Sequence, residues 1–94
     1  MQNFLVVVEN AGSNFSAYSP DVLGCVSTGP TIETTLANMR EALTAHLELM
    51  AADGDLLPEA RGLEHHLHDD PSLRSNSDLV FAHVAIDARA AVTI

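Results

Sequence analysis

The densest set of side chains capable of chemistry is a short run of histidines and aspartates. It reads His65-His66-Leu67-His68-Asp69-Asp70. Imidazole and carboxylate groups can ligate zinc, nickel or copper, and on a helix His65 and His68 would share a face while His66 points away. No second cluster of Cys or His lies at a metal-site spacing. A solvated polar segment is therefore the preferred interpretation, and we predict neither a metal nor any other cofactor.

Three other arrangements could support catalysis or ion binding. Cys25, the only cysteine, could act as a nucleophile with His83 as its base, but nothing in the sequence brings them together, so a buried small side chain is expected. The segment 53–55, Asp-Gly-Asp, lacks the ligands of a calcium loop and is interpreted as a helix stop. Carboxylates near strand ends could serve a two-metal nuclease, although strand ends routinely carry polar residues. They are Glu9, Asp21, Asp78 and Asp87. We predict no enzymatic activity.

Composition and charge limit the class of protein and partner. Ninety-four residues, 47% of them hydrophobic, are enough for one folded domain. Thirteen Asp and Glu against four Arg and no Lys give a formal net charge of −9. Such a surface repels phosphate backbones and attracts a basic protein. We therefore predict no direct nucleic-acid binding and a basic partner.

The number of cysteines and the lengths of the apolar runs indicate the cellular compartment. A single cysteine excludes an intrachain disulfide, which fits a reducing cytosol. The apolar run Phe4–Val8 is too short for a signal-peptide core, and no run approaches the ~20 residues that cross a membrane. The predicted location is the cytoplasm.

The N-terminal half contains strand patterns followed by one long helix. Phe4–Val8 is apolar on both alternating faces, as in a strand buried on two sides. Turn residues connect it to Phe15–Tyr18 in a predicted hairpin, and Cys25–Thr28 could form a short third strand. Thr31 suits an N-cap, and the helix is predicted to run from there to about Asp53. Its apolar stripe is Ile32, Leu36, Met39, Leu43, Leu47 and Met50.

The C-terminal part is predicted to add a short helix and a last strand. Arg61–Asp70 could be helical, Ser72–Ser77 is interpreted as a loop, and Leu79–Ile86 has a strand pattern that Asp87–Ile94 could prolong. The fold class is α+β, with a β-β-β-α-β order and one long helix on one face of an antiparallel-based sheet. The other face of Phe4–Val8 needs a cover. Either Arg61–Asp70 or a second subunit supplies it, and we favour a homo-oligomer, a dimer or tetramer.

The stretch 18–31 contains two of the four prolines and two of the five glycines. Residues of this kind constrain the backbone strongly. Together with the helix it leads into, the stretch resembles the HicB-like antitoxin family. The matching residues are Tyr18, Pro20, Asp21, Leu23, Gly24, Cys25, Gly29 and Thr31, then Leu36, Ala42 and Leu43 in the helix and Pro58 after it. The match covers about residues 4–59 and a final strand at about 79–87, within one domain 1–94.

The resemblance implies a partial RNase H-like fold without the RNase H carboxylates. It also implies an antitoxin of a type II toxin–antitoxin system, which binds a small basic HicA-like toxin directly and blocks its cleavage of mRNA. The motif residues are given a structural role, and Glu33, Glu41 and Glu48 on the helix are the predicted partner-binding positions. Only eight residues follow Ile86, so no C-terminal DNA-binding domain is expected. The alternative is a stand-alone HicB-like oligomer that binds another protein or a small ligand.

Overall fold

The computed structural model describes residues 2–76 and 78–86, which form one four-stranded antiparallel sheet with helices on both faces. The strand order is β3-β2-β1-β4, and the predicted α+β fold class with an antiparallel sheet is confirmed. The elements in chain order are β1 (Gln2–Asn10), β2 (Phe15–Ser19), β3 (Val22–Gly29), α1 (Ile32–Ala52), α2 (Leu63–Asp69), α3 (Ser72–Ser75) and β4 (Val80–Ile86).

Strand β1 lies in the middle of the sheet, between β2 and β4. Its residues Phe4, Val6 and Val8 pack into the cluster under α1, and Leu5 and Val7 pack into a second cluster on the opposite face. All five are at most 1% exposed. The two-sided burial predicted from the unbroken apolar run is therefore confirmed, and β1 joins both halves of the core.

Helix α1 covers one face of the sheet and begins where the sequence predicts. The Thr31 hydroxyl accepts the Thr34 amide at 3.0 Å, which satisfies one of the unpaired donors of the first turn. The predicted stripe faces the sheet: Met39, Leu43 and Leu47 are fully buried. Its other members, Ile32, Leu36 and Met50, are partly buried against the same cluster.

The opposite face is covered by the chain itself over β1 and β4. Leu63 and Leu67 of α2 and Leu73 of α3 pack with Leu5 and Val7. The cover is therefore the predicted Arg61–Asp70 segment with α3 added. The burial of β1 consequently gives no reason to expect a second subunit.

The predicted loop Ser72–Ser77 is wrong over its first four residues, which form α3. Asp70 stabilises this turn, because its Oδ1 accepts both the amide of Ser72, at 3.1 Å, and its hydroxyl, at 2.6 Å. Leu73 then anchors the turn in the second cluster. Strand β4 agrees with the predicted strand, while the proposed extension into residues 87–94 lies outside the described residues. No helix within the described ranges is both long and apolar enough to cross a membrane.

Candidate partner-binding surface

Strand β2 ends at the Ser-Pro-Asp segment of the motif. Beyond this point, side chains of the segment bond to the backbone of β1 in place of a paired strand. Pro20 cannot donate to a strand ladder, and β2 ends one residue before it. The backbone of Leu5 is satisfied by side chains instead. The Ser19 hydroxyl donates to its carbonyl at 2.7 Å, and its amide donates to Asp21 Oδ2 at 2.9 Å. This explains why a hydroxyl and a carboxylate flank the proline.

A bulge then separates the two ends of β3. Tyr18 lies opposite Val26, but the next residue of β2, Ser19, lies opposite Val22. Three residues of β3, 23–25, are therefore extra between these two pairs. One of them is Gly24, whose φ of +83° is the left-handed region that glycine adopts without strain. The bulge leaves Leu23 exposed at the rim of the sheet.

Cys25 turns inward from this bulge and is only 4% exposed. Burial raises the pKa of its thiol, which opposes formation of the nucleophilic thiolate. His83 is exposed on β4, at the other edge of the sheet. The expected buried, small side chain is confirmed, and the structure does not bring Cys25 and His83 together.

The end of β3 and the start of α1 approach each other closely at Gly29. A Cβ atom there would lie 2.8 Å from Thr35 Oγ1 and 2.9 Å from Thr35 N. The contact is reinforced on either side, because Ser27 Oγ donates to the Thr35 carbonyl and Asn38 Nδ2 donates to the Thr28 carbonyl. The Gly-Pro-Thr segment thus determines how α1 lies on the sheet.

Asp21 is the centre of a partly buried hydrogen-bond network. Its side chain is 0% exposed. Besides the Leu5 amide it accepts the Arg61 amide at 3.0 Å, and its Oδ1 lies 2.6 Å from His66 Nε2. Burial raises the pKa of the carboxyl group, but the bonds from Leu5, His66 and Arg61 outweigh burial and hold the pKa below its usual value. The network attaches the start of the α2 layer to β1.

The histidine run does not form one polar surface. His65 and His68 are exposed, but His66 is buried, so its interpretation as solvated is wrong. The His65 ring meets that of His66 edge-on, with centroids 5.2 Å apart. Across the described ranges, no three His, Cys, Asp or Glu residues are placed to hold a metal ion. Sequence reasoning missed the Asp21–His66 pair because its members are 45 positions apart, and no local pattern indicates such a contact.

The predicted acidic positions of α1 are all exposed. Glu41 and Glu48 are seven residues apart and therefore project from nearly the same side of the helix. Glu33 lies in the first turn, where a carboxylate complements the helix dipole. The three side chains are accessible to a partner.

A second accessible surface lies on the sheet face opposite α1, over β2 and β3. We call it the β2–β3 groove. It is a concavity of about 560 Å³ lined by Glu9, Ser16, Ala17, Tyr18, Val26, Ser27 and Thr28. Strand pairing places Phe81, Val7, Tyr18 and Val26 in one row across the sheet. The α2–α3 layer covers Val7, whereas Val26 at the far end of the row is 67% exposed.

Comparison with known proteins identifies the family. The family model described as the HicB-like antitoxin of a bacterial toxin–antitoxin system matches residues 4–93. The chain belongs to the HicB-like antitoxin family. The match includes the segment 61–77, which carries α2, α3 and three of the five histidines.

Solved structures of HicB antitoxins have the same fold. The N-terminal domain of Burkholderia pseudomallei antitoxin HicB aligns with a TM-score of 0.74 at 28% identity, covering 92% of this chain and 99% of that one. A chain of the HicA3 and HicB3 toxin–antitoxin complex aligns with a TM-score of 0.72, with the same identity and coverage. The Burkholderia pseudomallei antitoxin HicB aligns over 93% of this chain but 64% of its own length, with a TM-score of 0.75 and 28% identity. The predicted fold and family are confirmed.

One curated relative is an uncharacterized 14.9 kDa protein from the rep–hol intergenic region of Haemophilus phage HP1. It is 30% identical over 63 residues, which are 67% of this chain and 47% of the relative. The chain thus spans about half the length of the curated relative that it matches.

Proposed function

We propose that this HicB-like chain is an antitoxin that binds a small basic, mRNA-cleaving toxin directly and covers its catalytic surface. The observation that carries the proposal is the alignment of 92% of the chain with a chain of the HicA3 and HicB3 toxin–antitoxin complex. The chain acts in the cytoplasm, where such a toxin meets its substrate. The alternative, a stand-alone oligomer with another ligand, has no specific observation in its favour.

The net charge of the chain supports a basic protein as its partner. A formal net charge of −9 speeds association with a basic protein and disfavours direct contact with the RNA that the toxin cleaves. Inhibition by covering a surface requires no chemistry from the antitoxin. This agrees with the side chains considered as catalytic candidates, since Cys25 is buried and Asp21 is occupied by three hydrogen bonds.

Co-expression tests the proposal. The product of a short neighbouring reading frame that encodes a basic protein is expected to stop bacterial growth when expressed alone. Growth should return when this chain is produced with it, and the two proteins should co-purify. Undiminished toxicity in the presence of soluble chain would show that the antitoxin assignment is wrong.

Self-association is a separate part of the proposal. The large apolar side chains Leu23, Leu49 and Leu56 are 85%, 64% and 94% exposed, respectively, and exposed apolar surface favours association. We expect a dimer or tetramer by size-exclusion chromatography with light scattering. A monomer at micromolar concentration would contradict this expectation and leave the antitoxin proposal unaffected.

A further inference from the structure

The two faces of the sheet are covered unequally. Helix α1 packs on residues from all four strands of one face. On the other face the second cluster draws its buried side chains only from β1 and α3, and Tyr18 of β2 lies at its border. Over β2 and β3, that face is the β2–β3 groove. Val26 is exposed at the end of a row whose other members are buried or partly buried.

The charged groups around the groove are acidic. Glu9 lies in its lining, and Asp70 at the end of α2 is close enough to act on Tyr18. Partial burial raises the pKa of the Tyr18 hydroxyl, and the negative charges of Asp70 and Glu9 raise it further. The chain has no Lys, and among the described residues no Arg lines the groove. The groove thus combines an apolar floor with one carboxylate in its lining, Glu9, and a second, Asp70, whose charge acts on Tyr18.

This charge distribution selects among possible occupants. A second copy of the chain, seated face to face by two-fold symmetry, would bring the same carboxylates of both subunits together, and like charges at an interface are costly. A basic protein would gain from the same carboxylates. Its apolar side chains could contact Val26 and the Tyr18 ring, and aromatic rings of this kind often contribute strongly to binding.

We propose that the β2–β3 groove, and not the outer face of α1, is the surface that receives the basic toxin. Apolar side chains of the toxin lie on Tyr18 and Val26, and its Lys or Arg side chains face Glu9 and Asp70. The inference rests on the proposed antitoxin function and names the site for it. The acidic residues of α1 then contribute to long-range attraction and make no direct contact.

Two other concavities are less suited to a protein partner. The cleft beside the bulge, lined by Leu23, His46, Met50 and Pro58 among others, is about 270 Å³, half the volume of the groove. A concavity of about 680 Å³ includes the cationic Arg61 and lies beside Gln2 and His83. Arg61 would repel a basic toxin.

Two matched pairs of variants test whether the toxin binds in the groove or on the outer face of α1. Val26→Lys and Leu49→Lys each place a lysine at an exposed apolar position, since Val26 is 67% and Leu49 is 64% exposed. Glu9→Lys and Glu41→Lys each reverse an exposed carboxylate. One member of each pair lies in the groove and the other on α1. Because all four side chains are exposed, the variants are expected to fold, which circular dichroism and urea unfolding check.

The probe is the purified basic product of the neighbouring reading frame, with binding measured by calorimetry and neutralisation by growth. Val26→Lys and Glu9→Lys should each weaken binding by about tenfold or more, while Leu49→Lys and Glu41→Lys stay within about threefold of wild type. If both groove variants bind like wild type, the groove assignment is wrong and the antitoxin function stands. If the wild-type chain does not bind at all, the antitoxin proposal itself fails. Conversion of a free-chain dimer to a monomer by Val26→Lys would show that a second copy occupies the groove.

Discussion

At the scale of single residues, Asp21 connects the end of β2, the middle of β1 and the segment that leads into α2. Its carboxylate accepts two backbone amides and bonds to His66, and its side chain is fully buried. Asp21→Asn keeps the size of the side chain but removes its charge and places an amide donor opposite these donors. We expect a loss of about 2–3 kcal/mol in the free energy of unfolding, measured by urea denaturation.

Asp55→Asn is the matched control, because Asp55 is exposed and its carboxylate has no hydrogen bond among the described residues. Its unfolding free energy should change by less than about 0.5 kcal/mol. Equal, small effects of the two substitutions would show that the network contributes little to stability.

The same carboxylate predicts a dependence of stability on pH. The pKa of Asp21 in the folded chain lies below its usual 3.8, so the folded state binds the proton less readily than the unfolded state. The contribution of Asp21 to the free energy of unfolding is complete above the pKa that this group has in the unfolded chain. It is lost as the pH falls from that value through the lower pKa of the folded chain. Urea midpoints of wild type and Asp21→Asn should therefore converge below about pH 4. A difference that stays constant down to about pH 2 would contradict this assignment.

Local sequence patterns predict the structural role of some residues but not of others. The Thr31 cap and the burial of Cys25 follow from neighbouring residues and residue type, and both were predicted. The pairing of Asp21 with His66 depends on how α2 packs against the sheet. Because that packing is set by distant apolar contacts, such as that of Leu67 with the cluster of Leu5, Val7 and Leu73, no spacing in the sequence reveals it.

At the scale of elements, the junction between β3 and α1 depends on the missing side chain of Gly29. In Gly29→Ala the new Cβ would press on the backbone nitrogen of Thr35 as well as on its hydroxyl, so a rotamer change of Thr35 cannot relieve the contact. We expect a loss of about 1–3 kcal/mol in unfolding free energy and faster hydrogen exchange in the first turn of α1.

Thr28→Val is the control for this junction. It changes the adjacent, exposed side chain, keeps the β-branched shape and leaves the carbonyl that Asn38 uses. Stability should stay close to wild type. If Gly29→Ala were equally stable, the close approach would not restrict residue 29.

The elements that repeat an apolar pattern over many residues were predicted well. Strand β1 and helix α1 belong to this group, since each must bury a continuous face. The start of β3 and the whole of α3 were missed. The bulge gives β3 an irregular alternation, and the four residues of α3 are too few to show a helical period, so their structure depends on Asp70 and on the burial of Leu73.

At the scale of the whole molecule, the net charge of −9 should control how fast a basic partner is captured. Raising the salt concentration from about 0.05 M to about 0.5 M shortens the Debye length. The association rate constant should fall by about tenfold or more, with a smaller change in the dissociation rate, as measured by stopped-flow fluorescence. An association rate that does not respond to salt would exclude electrostatic attraction as the source of fast binding.

The pairing of β1 with β4 also has a consequence for the order of folding. Val8 pairs with Val80 and Gln2 with Ile86, so every other described element lies in the loop that this pairing closes. The β1–β2 hairpin and α1 can form from neighbouring segments, whereas β4 joins only at a high cost in loop entropy. During synthesis β1 therefore leaves the ribosome long before β4, and one edge of β1, with its five consecutive apolar residues Phe4–Val8, stays open throughout that interval. An open apolar edge of this kind can pair with another nascent chain, so the period before β4 appears is when the chain is most prone to aggregate.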